Sequence, residues 1–445
     1  MSDIENNSQD VRGLKLLLRS LRHRNYRLFF IGQGTSLLGT WMQSAAMGWL
    51  VYRITGSALY LGIVAFASQV PSFVIAPFAG LLADRWNRHR MVIAIQALAM
   101  VQALILAILV IAGVITTWEI IALSVFSGIV SGFDIPTRQA FVYELIDRPE
   151  DLSNAIALNS MIFNGARMIG PPIAGFLIAA AGEGACFAIN AVSYVAIIIA
   201  LCLMRLRPST YARHNGAVLA GIRDGIIYSY RFVPIRMILL TLAFIGLIGM
   251  PYAVLLPVFA KDILGGGPLT YGSLMGAVGI GALGGAIFLA SRKNVRGLGR
   301  IMVAAVFIFG GGVFAFSFSA VLWFSLAMLV LAGFGIMVQM ASVNTILQTI
   351  VDDDKRGRVM SLYTMAFMGM APLGSLLAGS VAHGLGAPRT LQIGGLLCIG
   401  AAIIFGIKLP TLRKWVHPVY VRKGIIPQVA TGIGAAVQVT AETKE

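Results

Sequence analysis

Cysteine, histidine and acidic residues are all scarce in this 445-residue chain: three, five and 18 respectively, against 34 Lys and Arg. Cys186, Cys202 and Cys398 fall in apolar stretches without metal-ligand spacing, which excludes a disulfide framework and a zinc site. There is no HExxH and no convincing Ser-His-Asp grouping, so a membrane-embedded enzyme would lack its constellation. Nor is there a Walker A sequence, so ATP is not the fuel unless a partner supplies it. Residues 1–25 are polar and of both signs, with no h-region or small-residue cleavage site, so the first apolar stretch is expected to be retained as a helix.

What the chain has is long apolar sequence. Stretches near 26–52, 57–82, 89–113, 116–136, 152–180 and 185–205, then 236–260, 270–291, 299–319, 321–346, 358–384 and 390–410, can each cross ~30 Å of hydrocarbon at about 1.5 Å per residue. About 30 of the 34 Lys and Arg lie at the two ends and in every second gap, at 83–91, 137–151, 205–236, 291–300 and 352–358. The other gaps hold only Arg53, Lys261 and Arg389, and Arg167 alone sits deep inside a span. Basic loops resist translocation, so an even number of crossings with this alternation predicts a multi-pass protein of the cell (inner or plasma) membrane with both termini cytoplasmic. The net charge of +16 then matches an anionic inner leaflet. Without basic residues interleaved with aromatics, no nucleic-acid partner is expected.

The widest polar gap, Arg205 to Arg236, reads as a linker. Within it Ile222, Ile226, Ile227 and Tyr230 recur at helical spacing beside Arg223 and Arg231, which predicts a short helix on the membrane surface. Weak self-similarity supports duplication: GSALYLG from Gly56 returns as GPLTYG from Gly267, and ELIDRPEDLSNA from Glu144 as TIVDDDKRGRVM from Thr349. The expected fold class is all-α integral membrane, twelve transmembrane helices in two six-helix bundles about an axis along the membrane normal. Its expected divisions are a cytoplasmic segment 1–25, a bundle 26–205, a linker 206–235, a second bundle 236–410 and a mobile, peripheral cytoplasmic tail 411–445, where Trp415 and Tyr420 can touch the interface. Glycine, at 50 residues, concentrates in the spans, where it lets backbones approach. Gly279 to Gly284 has the form GxGxxG but follows no strand, so it reads as helix packing, not a nucleotide site.

The loop after the second span reads GLLADRWNRHR, with Gly80, Asp84, Arg85, Arg88 and Arg90. An aspartate here can accept hydrogen bonds from the amino end of a helix in the other half, where unpaired N–H groups and the helix dipole favour an anion. The eleventh span, opening after Asp352 to Arg358, begins in the right place for such a gating latch. A basic loop with a purely topogenic role is the alternative. The fifth span contains NGARMIGPPIAGF, a helix-bend motif of Gly165, Gly170, Pro171, Pro172 and Gly175 around Arg167; proline removes a backbone donor and kinks the helix.

Both segments resemble the major facilitator superfamily. The first resembles its signature loop between spans two and three, with Asn87 and His89 in place of the usual Gly and one basic residue; the second resembles the antiporter motif of its exporters, with Ala174 where a Gly is usual. The chain resembles more closely the branch containing the enterobactin exporter and the macrolide efflux proteins. That likeness extends through the segment from Tyr26, DIPTRQAFVYELI from Asp134, LPVFAKDILGGG from Leu256 and DKRGRVMSLY from Asp354. It implies the major facilitator fold and a proton-motive-force-dependent exporter of a siderophore or hydrophobic drug. The expected partners are a small-molecule substrate, the proton and membrane lipid, with no cofactor or metal and a monomeric chain. A lipid flippase or a passive facilitator of the same fold remains an alternative.

Arg167, about fifteen residues into its span, would lie near the midplane, where a lone Arg costs at least ~2.5 to 3.5 kcal/mol. Either it receives an anionic group of the substrate, or it is tied to carbonyls and polar groups such as Asn164 and fixes packing. Titratable groups for proton coupling are few: Glu119 at the outer end of the fourth span, and Asp134 at its inner end. Asp134 shares a helical face with Arg138 and makes with it either an ion pair of the latch or a proton-sensitive switch. The family resemblance places the central cavity on spans one, four, seven and ten, with help from five and eleven. The candidate substrate residues there are Gln33, Thr40, Trp41, Gln43, Arg167, Tyr252, Gln339, Asn344 and Tyr363, among Met42, Met250, Met337 and Met340. Such a lining suits a bulky amphipathic molecule.

Overall fold

Each apolar stretch folds as a helix, because in hydrocarbon a backbone must satisfy its polar groups within its own segment. The computed structural model describes residues 19–83, 86–146, 148–206, 218–292, 295 and 297–423, and side chains at 77, 80, 81, 83, 149 and 218–223 fall outside that description. Among the described residues there are helices and no strand. The first six spans are α1 (Arg24–Thr55), α2 (Ala58–Ala83), α3 (Arg88–Ile111), α4 (Thr117–Glu144), α5 (Pro149–Ala181) and α6 (Glu183–Cys202). A linker helix α7 (Val218–Arg231) precedes α8 (Val233–Ile263), α9 (Pro268–Ala290), α10 (Leu298–Phe316), α11 (Leu322–Ile350), α12 (Arg356–Leu385) and α13 (Ala387–Arg422). Eleven of the described helices are long and apolar enough to cross a membrane. Helix α1, at 32 residues, is long enough but more polar, and it turns Gln33 and Ser36 away from solvent against its neighbours.

Alternate connections share one end of the molecule, here termed the basic end. Both ends of the described chain lie there. Asn25 Nδ2 donates to the Arg205 carbonyl at 2.8 Å, and Lys423 Nζ donates to the Val351 carbonyl at 3.0 Å. Helix α4 outruns its apolar stretch by two turns, ending at Glu144, with Pro136 inside it. Helix α13 passes Pro410 and continues to Arg422, whose guanidinium binds Asp352 Oδ1 at 3.1 Å. The expected tail is therefore helical and anchored over its first turns; residues 424–445 lie outside the described residues. Helix α7 is fastened to the start of α12 by Asp224 and Arg358 at 2.9 Å, while Ile226, Ile227 and Tyr230 stay exposed on its flank. In the same contact the Tyr228 hydroxyl donates to Asp352, and burial pushes the Tyr228 phenol above its ordinary pKa.

At the opposite end the halves meet along two seams where glycine is required. A Cβ on Gly62 of α2 would lie 2.6 Å from the Ser375 carbonyl oxygen of α12, and one on Gly379 would lie 2.9 Å from the Gly62 Cα. Between α5 and α9 a Cβ on Gly175 would lie 2.6 Å from the Pro268 carbonyl, and one on Gly272 would lie 3.0 Å from the Gly175 Cα. Close backbone approach is how helices gain contact energy in lipid, where burying apolar surface gains little. One apolar core at this end draws on both halves, including Trp49, Leu50, Phe187, Leu255, Phe259 and Tyr271. Toward the basic end the halves have separate cores, one around Tyr26, Phe29 and Phe141, the other around Ile235, Val343 and Leu347.

Candidate substrate site and gates

Helix α8 is irregular where it faces the first half. Pro251 and Pro257 each lack an N–H to donate, and the α-helical ladder gives way to a π turn over Ile245–Gly249, a 3-10 segment over Met250–Leu255 and a second π turn over Phe259–Ile263. Tyr252 lies in this segment, buried, with its ring edge-on to Phe309 at 5.8 Å. Trp41, Arg167 and Tyr252 each lie about 18 residues from the basic end of their helices, ~27 Å at a helical rise and so near mid-depth.

All three lie at the same depth, Trp41 and Arg167 on the first half and Tyr252 on the second. The Arg167 guanidinium stands over the Trp41 ring, 5.8 Å from its centroid. Phe163, one turn before Arg167 on α5, packs edge-on against Trp41 at 5.7 Å. On the next positions of α5, Gly170 seats the backbone against Trp41 Cβ, and Met168 packs onto Gly279 of α9. The helix is thus pinned on two sides, and Arg167 faces the gap between them. Among the described residues Arg167 has no acidic partner and no hydrogen bond, and Asn164 donates instead to the Ser160 carbonyl at 2.8 Å. A cation–π contact contributes about 0.5 to 2 kcal/mol. That is less than the ~2.5 to 3.5 kcal/mol cost of a guanidinium at mid-membrane, so the balance falls to water or an anion in the space it faces.

The other expected cavity residues divide. Thr40 is exposed, donates to the Ser36 carbonyl at 2.9 Å and lies 3.3 Å from the Tyr194 hydroxyl. Gln43 is not part of the Arg167 group: its amide donates to Gln102 at 2.9 Å and its oxygen accepts from Asn190 at 2.8 Å, inside the first half. Gln33 is buried with its oxygen unpartnered, and Gln339 is wholly buried with both amide atoms unpartnered among the described residues, as is Ser342 one turn on. An unsatisfied buried group costs roughly 1 to 3 kcal/mol, so these positions are poised for a polar ligand atom or tolerate strain. Asn344 accepts from Gln348 at 2.7 Å, nearer the basic end than Arg167, and the Tyr363 hydroxyl donates to the Met340 carbonyl at 3.5 Å. Met42 is packed in the core, while Met250 and Met340 are partly buried against it.

Of the expected gating residues, Asp84 and Arg85 lie outside the described residues, and Gly80 is described only as part of α2. Asn87 caps α3, its side chain accepting from the Arg90 N–H at 3.0 Å, which gives the departure from glycine a structural use. Arg88 pairs with Glu144 at 3.1 Å, tying α3 to α4. Asp134 pairs with Arg138 at 3.3 Å and accepts from Gln96 at 2.9 Å. Glu119 belongs to a capping box with Thr116 at the start of α4. In the bend motif, Pro171 and Pro172 lie inside an unbroken α5, Gly170 and Gly175 make close approaches, and Gly165 faces open space.

A contact that sequence reasoning missed closes the end opposite the basic loops. The Tyr52 hydroxyl donates to Asp262 Oδ2, from α1 to α8, and the Lys261 ammonium lies 5.6 Å from the centroid of the Tyr52 ring. Trp49 stacks on Tyr271 of α9 at 6.0 Å beside it, and Arg53 binds Glu183 at 2.6 Å. Among the described residues Tyr52 to Asp262 is the one hydrogen bond joining the halves. The signal was available: an acid and two cations, Asp262, Lys261 and Arg53, are rare charges at the poorly charged end.

Two bundles of membrane-spanning helices, meeting at one end over a mid-depth polar site, define a multi-pass transporter of the major facilitator fold. The chain belongs to the transmembrane secretion effector family, whose model matches residues 17–419. It is 28% identical over 382 residues to the staphyloferrin A transporter of Staphylococcus aureus, covering 85% of this chain and 95% of that one. It is also 28% identical over 394 residues to the multidrug efflux pump Tap of Mycolicibacterium fortuitum, with coverage of 85% and 94%. A third relative is macrolide efflux protein A of Streptococcus pyogenes, 23% identical, with coverage of 86% and 96%. In fold the chain is similar to a bacterial homologue of the human lysosomal transporter Spinster in an inward-facing, unoccupied conformation, with a TM-score of 0.68, 13% identity and coverage of 88% and 98%. It is likewise similar to the nucleoside transporter NupG, with a TM-score of 0.66, 13% identity and coverage of 87% and 99%.

Proposed function

We propose that this chain is a secondary active exporter that moves a siderophore or a hydrophobic, drug-like molecule out of the cell by alternating access, driven by the proton motive force. On this reading the basic end is cytoplasmic, both termini lie there, and the halves 26–205 and 236–410 rock about the site between them. The glycine seams and the Tyr52 to Asp262 contact then describe a state closed to the outside. Asp84, Arg85, Arg88, Arg90, Asp134 and Arg138 would latch the cytoplasmic side when the outer seams part.

The observation that carries the reading is Arg167: a guanidinium at mid-depth, resting on Trp41, at the level of Tyr252 across the gap, with no protein anion among the described residues. It supplies a positive charge flanked by aromatic faces, which fits an amphipathic molecule with a carboxylate or other anionic group. The efflux relatives support the direction of transport. The test is accumulation of a siderophore and drug panel in sealed inside-out vesicles with an acidified lumen. Arg167→Ala is expected to weaken anionic substrates by roughly 10- to 100-fold, since a hydrogen bond to a charged group contributes about 1.5 to 3 kcal/mol, and to leave neutral ones close to wild type. Equal loss across the panel assigns Arg167 to packing, and accumulation indifferent to collapse of the proton gradient overturns the coupling.

A further inference from the structure

Helix α13 is longer than a bilayer. Its 36 residues extend ~54 Å, against ~30 Å of hydrocarbon, so counted from Ala387 the residues beyond about 408 stand at headgroup depth on the basic side. There α13 leans over the starts of α8 and α10 and encloses a cavity of about 410 Å³. Its walls are apolar, formed by Ile238, Leu298, Ile346, Phe405, Leu409 and Leu412, and its rim carries Arg300, Arg413 and His417. The three rim residues are exposed and have no acidic partner or hydrogen bond among the described residues. Their neighbour Arg422, by contrast, is taken up by Asp352.

We propose that this cavity is a binding site for one anionic phospholipid, an acyl chain lying along the Phe405, Leu409 and Leu412 wall and the phosphate held among Arg300, Arg413 and His417. The combination is specific in its chemistry. A greasy slot at headgroup level takes an acyl chain, and a rim of two arginines and a histidine, with no acid among the described residues, selects against a zwitterionic or neutral headgroup. The site is remote from Arg167, and the inference is independent of what is transported or in which direction. Its consequence is structural. A lipid seated there would join α8, the helix that carries the broken Tyr252 segment, to α10 and α13 of the same half.

The test uses the full chain in nanodiscs of phosphatidylcholine alone or of phosphatidylcholine with phosphatidylglycerol, read by native mass spectrometry of retained lipid and by thermal unfolding. Wild type should retain phosphatidylglycerol preferentially and unfold at higher temperature in its presence. Removing the rim with Arg300→Ala, Arg413→Ala and His417→Ala together should abolish the preference, with roughly a fivefold loss of affinity for each arginine removed. Leu409→Trp, which leaves the rim intact and fills the slot, should also lower retention. Phosphatidylglycerol retained equally by the triple variant, stabilisation matched by phosphatidylcholine alone or by inorganic phosphate, or a hydrophobic drug displacing no lipid while binding the slot would each overturn the proposal.

Discussion

The two ends of this molecule hold their helices by different physics. At the poorly charged end the halves share one apolar core and approach backbone to backbone at Gly62 and Gly379 and at Gly175 and Gly272, with Tyr52 donating across to Asp262. At the basic end the cores are separate, and the described ion pairs, Arg88 with Glu144, Asp134 with Arg138 and Arg358 with Asp224, each lie within one half or tie the linker to the second. Close packing is either made or lost over a fraction of an ångström, whereas charges reach further and tolerate water between them. Under the proposed alternating access, an end sealed by packing would open as a unit, and an end braced by internal ion pairs would keep each half rigid.

The largest test of this contrast is Gly272→Val. The added side chain meets the backbone of α5, which cannot turn aside as a flexible side chain could. Overpacking of this kind costs about 1 to 3 kcal/mol and more where backbone must shift, enough to move the population from the closed state to its alternative. Spin labels placed at the exposed positions 114 and 321, on connections of the two halves at the sealed end, should report a longer distance, with transport reduced at least roughly tenfold. An unchanged distance would mean the seams do not set the closed state. Tyr52→Phe should act in the same direction and less strongly. It removes one hydrogen bond to a carboxylate, a contribution of about 1.5 to 3 kcal/mol when buried and less at this partly exposed site, while the ring and its stacking neighbours remain.

Much of the fold was legible because hydropathy and the alternation of basic loops report directly on the membrane. Where polar residues continue a helix, that signal fails. Helix α13 outruns Pro410 because Arg413, His417 and Arg422 are suited to the headgroup layer and beyond, and hydropathy alone reads such residues as tail. The interruptions of α8 were visible in Pro251 and Pro257, which a count of apolar residues passes over. In the site, Arg167 stood out from sequence because a lone charge at that depth demands an explanation. Gln43 and Gln339 did not separate, since a glutamine that bridges Gln102 and Asn190 and one left without partners look alike until the neighbouring helices are placed. For Tyr52 and Asp262 the rare charge marked one partner, but the pairing itself joins residues that only the docking of the halves brings together. Glu119 shows the converse, a candidate for proton coupling that local geometry assigns to a helix cap.

The smallest effect is expected at the basic end, from Asp134→Asn. Asparagine keeps an oxygen for the Gln96 amide and loses the charge opposite Arg138. Both side chains are about one-fifth exposed, so the pair contributes near the upper end of the ~0 to 1 kcal/mol found for accessible ion pairs. Thermal unfolding should fall by about 1 °C, and the distance between labels at 114 and 321 should stay at its wild-type value, because the pair braces the first half alone. The same variant divides the two roles open to Asp134. If it serves only as a brace, transport should keep its dependence on the proton gradient with a modest loss of rate. If it carries the proton, uptake in vesicles should become indifferent to lumenal pH while counterflow of substrate, which needs no net proton movement, persists. A change in the 114 to 321 distance would break the contrast itself, since it would make a charge inside one half part of the seal between both.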